Sequence, residues 1–189
     1  MTTAGKLEFS RPVGLDKIKP QGMRLDIAAT PEECARLAKR FDLIALKGLE
    51  AHLELRRRDG AGGVEYIVQG DFSADVVQPC AITLEPIESC VASTLAVRYM
   101  SPQAFEEFEE QQGEEYSLNM DEEDAEILPQ GDLDLGEVVA QYLAISLDSF
   151  PRKPGADLSA LGIDGKDDPG LPSSQEKVNP FSILKKLYD

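Results

Sequence analysis

The sequence predicts an α+β domain: a mainly antiparallel β-sheet meander of long strands, with flanking helices and a mobile acidic loop. Three observations carry this expectation. From Leu43 to Met100 the apolar residues repeat with a period of two over long runs, as half-buried strands require. Those runs are separated by turn residues, Asp59-Gly60-Ala61-Gly62-Gly63 and then Pro79 to Pro86. Two flanking segments, opening at Thr30 and near Asp132, switch to helical spacing behind polar N-caps.

In chain order, Leu7 to Ser10 alternates and is expected as a short strand before a turn at Pro12 and Gly14. Met23 to Ile27 alternates apolar and charged residues and reads as another strand. Thr30-Pro31-Glu32-Glu33 places an N-cap hydroxyl, a proline at the first helical position and two acids in the first turn. That helix should run to about Arg40, with Cys34, Leu37, Ala38 and Phe41 on one face. Leu49, Ala51, Leu53 and Leu55 then share a strand face opposite Glu50, His52, Glu54 and Arg56. Val64 to Val77 returns as the partner, with a bulge expected at Gly70. Ile87 to Met100 is the third long strand, and Val91, Ser93, Leu95, Val97 and Tyr99 share its face.

Gln103 to Glu110 has the makings of a short acidic helix, whereas Gln111 to Glu126 carries too much charge to fold alone. Asp132 to Glu137 caps the next helix, whose apolar face is Val138, Val139, Tyr142, Leu143, Ile145 and Leu147. Pro151 and Pro154 stop it. The organisation is therefore an N-terminal arm (1–20), a core domain (21–150) containing the acidic loop (103–130), a flexible linker (151–178) and a C-terminal amphipathic helix (179–189).

Composition narrows the function classes. The formal net charge of −16 is concentrated: residues 101–148 carry no Lys or Arg against 15 Asp and Glu, while residues 1–60 carry 12 against 9. Such acidity opposes avid, nonspecific binding of naked nucleic acid but suits a basic partner. No apolar run reaches bilayer length and the first residues lack a secretory signal, so a cytoplasmic chain without membrane contact is expected. Cys34, Cys80 and Cys90 have no framework spacing, and Cys34 and Cys90 are expected as small buried hydrophobes.

Four features are candidates for chemistry. Cys80-Ala81-Ile82-Thr83-Leu84-Glu85-Pro86 looks like a metal knuckle in which Thr83 occupies the place of a second thiolate. His52 is a solvated strand residue with Glu50 and Glu54 on its face. Arg56-Arg57-Arg58, at a hairpin tip, either grips RNA phosphates or guards a sheet edge. The acidic run from Glu106 to Glu126 lacks the spacing of a calcium loop and is either solvated or a docking segment for a basic protein. No phosphate-binding loop, nucleophile elbow or zinc-protease motif is present, so neither an enzyme nor a small-molecule substrate is expected.

Taken together and in order, the segments resemble the YceD family, the large ribosomal RNA subunit accumulation proteins, over roughly residues 20 to 189. The marks are Cys80 followed by Leu84-Glu85-Pro86, the acidic segment, Asp132, Asp134 and Glu137 at the head of an apolar helix, and the ending that starts Asn179-Pro180-Phe181. The resemblance implies a ribosome-biogenesis role in accumulation or processing of 23S ribosomal RNA, through binding of pre-rRNA or a ribosomal protein. A metal-free protein-interaction adaptor, using the acidic loop and the C-terminal helix, is the alternative. The resemblance would also imply metal binding, but Thr83 and the absence of cysteines after Pro151 break that pattern. No metal and no cofactor are carried over.

Overall fold

Three antiparallel strands of 16, 17 and 15 residues build the centre of the protein. They are β3 (Ala45–Gly60), β4 (Gly63–Pro79) and β5 (Pro86–Met100). The computed structural model describes residues 8–60, 63–112 and 124–156. The chain divides into two units, Met1–Lys153 and Pro154–Asp189, and every element below belongs to the first.

Around the meander lie β1 (Pro12–Val13), β2 (Met23–Ala28), α1 (Pro31–Arg40), α2 (Pro102–Gln112), β6 (Asp124–Ile127), β7 (Leu133–Asp134) and α3 (Leu135–Ser146). The main sheet runs β2-β3-β4-β5-β6, and β1 with β7 forms a separate two-stranded ribbon. All pairings are antiparallel except β5 with β6. The fold is thus α+β with a mostly antiparallel sheet.

Period-two alternation decides which face is dry. Leu53, Gly70 and Leu95 stand in one row across β3, β4 and β5, and Leu55, Val68 and Val97 in the next. These rows join Ala51, Phe72, Ala74 and Tyr99 in a core closed by α1 against β3 and α3 against β5. Leu37 and Cys34 come from α1, and Leu135, Val139 and Leu143 from α3. The opposite face carries Glu50, His52, Asp71 and Thr94, all exposed.

α1 starts as its sequence dictates. The Thr30 hydroxyl accepts from Glu33 N–H and the Glu33 carboxylate accepts from Thr30 N–H, closing a capping box. It ends where Asp42 turns left-handed at φ 54°, which lets Leu43 N–H reach the Ala38 carbonyl.

Several expectations are corrected. Gly70 forms no bulge: the register runs unbroken through it, and the irregularity lies in β3 between Leu46 and Gly48. Glycine is needed at 70 for space, since a Cβ there would come within 2.0 Å of the His52 carbonyl oxygen. The strand expected before Pro12 is absent over Glu8–Ser10, and Pro12–Val13 pairs instead with β7. Nor is residues 1–20 wholly an arm, because Phe9 and Ile18 are buried in the core. The acidic helix expected from Gln103 forms as α2, but Asp124–Ile127, expected as unfolded loop, is a strand, held by main-chain bonds to β5 that do not depend on its own hydrophobicity. Cys90 is exposed, because its strand position faces away from the core, and Ile145 is 76% exposed on α3.

Candidate interaction surfaces

The Cys80 segment is a tight turn joining β4 to β5. Cys80 N–H donates to the Glu85 carbonyl at 2.8 Å and Leu84 N–H to the Cys80 carbonyl at 2.9 Å. Leu84 supplies the left-handed residue, at φ 60°, and its side chain is exposed. Cys80 itself is enclosed beneath the turn. Its sulfur is surrounded by donors: Thr83, with its hydroxyl and N–H (the latter at 3.5 Å), then the N–H groups of Lys153 and Ile82. They hold the thiol down to about 6, well below its ordinary value.

This arrangement does not fit a zinc ion. The Thr83 hydroxyl stands beside Glu85 Oε2 at 3.4 Å, and Lys153 Nζ donates to the same oxygen at 3.0 Å. Ala81 N–H meanwhile donates to the Pro151 carbonyl at 2.7 Å. Direct polar bonds thus join turn 80–86 to segment 151–153. Among the described residues, no three His, Cys, Asp or Glu side chains converge as ligands.

Asp134 and Glu137 hold elements together. Asp134 is the N-cap of α3 and accepts from Gly136 and Glu137 N–H at 3.0 and 3.3 Å. It also accepts from Arg11 N–H at 2.7 Å and from the Ser10 hydroxyl. Glu137 meets Arg40 of α1 through two bonds, at 2.7 and 2.8 Å. Arg11 in turn grips Glu33 through two bonds of 2.8 Å, which draw that carboxyl down to about 2. Asp132 is exposed at the rim of a cleft of about 220 Å³ also lined by Tyr99 and Glu126. That Ser10, Arg11, Glu33 and Arg40 serve as bonding partners escapes a reading of the sequence. Only Glu33 leaves a signal, as the fourth residue of a capping box.

The basic triplet is internally neutralised. Arg56 bonds Glu54 at 3.0 Å, Arg57 bonds Asp59 at 3.0 Å and Arg58 bonds Glu65 at 2.6 Å. His52 is exposed and pairs with Asp26 of β2 at 2.8 Å, rather than with the glutamates beside it. That neighbour raises the imidazole pKa. Across the same outer face stand Glu50, Asp71 and Asp75, with no cation bonded to them among the described residues. Small residues, Gly48, Ser73, Ala92 and Thr94, leave this face shallow and open. Asn179, Pro180 and Phe181, the linker from 157 onward and acidic residues 113–123 lie outside the described residues. No described helix is long and apolar enough to cross a membrane.

Sheet, latch and turn together define a small α+β domain whose distinctive residues serve architecture and surface charge. The family profile of the large ribosomal RNA subunit accumulation protein YceD matches residues 68–188, more than half of the chain. The chain belongs to the YceD family, and the family's name ties it to accumulation of large-subunit ribosomal RNA. The match opens inside β4, so β2, α1, β3 and the basic triplet lie before it. No curated protein and no solved structure matches the chain.

Proposed function

We propose that this chain is a non-enzymatic ribosome-biogenesis factor that supports 23S rRNA accumulation by binding a basic ribosomal protein. Membership of the YceD family supports the biological role. The observation that supports a protein partner rather than RNA is the charge arrangement. Each arginine of the only basic triplet is already bonded to a carboxylate, while Glu50, Asp71 and Asp75 present unpaired negative charge on an open sheet face. Releasing three arginines to phosphates means breaking three ion pairs, whereas a cationic segment meets the carboxylates as they stand. On this reading the chain works in the cytoplasm, without cofactor, metal or small-molecule substrate.

The test is a deletion strain complemented with the wild type or with Glu50→Gln/Asp71→Asn/Asp75→Asn. Lowered 23S rRNA in the deletion, restored by the wild type and poorly by the triple variant, is the expected result. Normal 23S rRNA in the deletion overturns the role. Restoration by the triple variant, with loss of restoration by Arg56→Ala/Arg57→Ala/Arg58→Ala, moves the contact to RNA. Pull-downs before and after RNase treatment read the same distinction directly.

A further inference from the structure

Among the described residues, the outer side of β5 from Ile87 to Leu95 has no strand paired to it. On its outer side β5 pairs with β6 only from Val97 to Met100. The Tyr142 hydroxyl meets the Ala96 carbonyl at 3.1 Å, which closes the edge at that residue and shows that its backbone points outward. By alternation the outward groups of the preceding stretch are those of Glu88, Cys90, Ala92 and Thr94. Among the described residues nothing pairs with them.

Open edges are normally guarded by charge, proline or a bulge. The opposite edge fits that rule: β2 carries Arg24 and Asp26, Arg11 Nη2 bonds the Ala28 carbonyl, and β3 beyond β2 is Arg56 to Asp59. From Ile87 to Ala96 β5 has neither proline nor bulge, and only one charge. Its register with β4 is unbroken, and its single charge, Glu88, is paired with Lys47 at 2.7 Å. In a chain that is 29% charged, such depletion marks the centre of an interface. Beside the edge runs a cleft of about 530 Å³, lined also by Ser146, Asp148, Pro151 and Arg152, so the charges lie at its rim and not on the strand. Their neighbours Ile145 and Phe150 are 76% and 72% exposed.

We propose that the Ile87–Leu95 edge pairs antiparallel with the same edge of a second copy, about a two-fold axis through Val91. The stretch is self-complementary in that register. Toward the core side Val91 faces Val91, Ser89 faces Ser93 and Ile87 faces Leu95; toward the outer side Cys90 faces Ala92 and Glu88 faces Thr94. Apolar meets apolar, small meets small, and no acid meets an acid, which matters for two molecules of net charge −16. Ile145 and Phe150 give the partner an apolar flank. The pairing merges two sheets into one and does not depend on the binding partner proposed above.

The test is sedimentation equilibrium of the full chain under reducing conditions, with Ala92→Pro for comparison. Residue 92 points its N–H away from β4, so proline there spares the monomer's ladder and removes two symmetry-related bonds of the dimer. The expected result is a wild-type dimer and a dissociation constant raised about tenfold or more in Ala92→Pro, with unchanged circular dichroism. Should Ala92→Pro fail to fold, oxidative crosslinking in a Cys90→Ser background reads the register alone. Val91→Cys brings two thiols together across the axis, with Cβ atoms about 4.5 Å apart. Ser93→Cys leaves them about 13 Å apart along the strands. Crosslinking of the first and not the second supports the proposal. A chain that stays monomeric overturns it, as does a dimer that folded Ala92→Pro leaves intact or one that crosslinks through Ser93→Cys.

Discussion

Arg40 at the end of α1 and Glu137 in the first turn of α3 share two hydrogen bonds, 2.7 and 2.8 Å long, although 97 residues separate them. One partner lies in the part of the chain that matches the YceD family and the other before it. The pair therefore ties the part of the domain within the family match to the part that precedes it. Glu137→Gln keeps the shape and removes the charge. Because both side chains are part-exposed, the expected loss in urea denaturation is about 1 kcal/mol. A double-mutant cycle with Arg40→Ala should show most of that loss as coupling.

Two glycines are fixed by space. A Cβ at Gly70 would meet the His52 carbonyl oxygen at 2.0 Å, and one at Gly136 would meet the Phe9 carbonyl oxygen at 2.6 Å. Neither obstacle is a side chain that can swing away. Gly70→Ala and Gly136→Ala should each destabilise the fold by about 2 kcal/mol or more. Gly131→Ala is the useful contrast: its space is open but φ is +116°, so only backbone strain opposes it. Thermal melts of the three variants separate the two causes.

The Arg11–Glu33 pair sets an acid limit. Glu33 titrates at about 2 in the folded chain, below the ordinary carboxylate value, because Arg11 and the helix cap favour its charged form. A depressed pKa stabilises the fold above the unfolded value and loses that contribution as pH falls. Wild-type urea midpoints should therefore fall more steeply than those of Glu33→Gln between about pH 4.5 and pH 2. Parallel curves over that window would remove Glu33 as the cause.

Thiol reactivity should follow exposure before ionisation. The Cys80 thiol is held down to about 6 but is enclosed by its turn, Cys34 is buried with its pKa raised, and Cys90 is exposed. Alkylation of the native chain at neutral pH, followed by peptide mapping, should modify Cys90 first. Cys80 should follow only when the bond between Ala81 and Pro151 is loosened, as in Pro151→Gly. Rapid modification of Cys80 in the native chain would show that the turn opens freely.

The long strands and α1 are legible in the sequence because their signals are local. Alternation fixes which side chains of β3, β4 and β5 face inward, and Thr30 with Pro31 fixes where a helix begins. The same patterns fail where a long-range partner decides. Asp124–Ile127 is a strand only because β5 offers its edge, and Gly70 is a glycine without a bulge because the His52 carbonyl of β3 leaves no room for a Cβ. Cys90 reads as a buried thiol by type, yet its even position on β5 turns it outward.

By itself, then, the sequence determined the fold class, the order of the main elements and the family, all of which rest on short-range periodicity and motif order. Only the tertiary structure decided what the marked residues do. It turned Cys80 into the centre of a hydrogen-bonded turn, Asp134 and Glu137 into latches for Arg11 and Arg40, and Arg56 to Arg58 into paired charges. The reason is physical: a side chain's role depends on which groups neutralise or desolvate it. For Asp134 and Glu137 those groups come from across the chain, 123 and 97 residues away; for Cys80 and the arginines most lie within a few residues, but only the turn and the strand pairing aim them at each other.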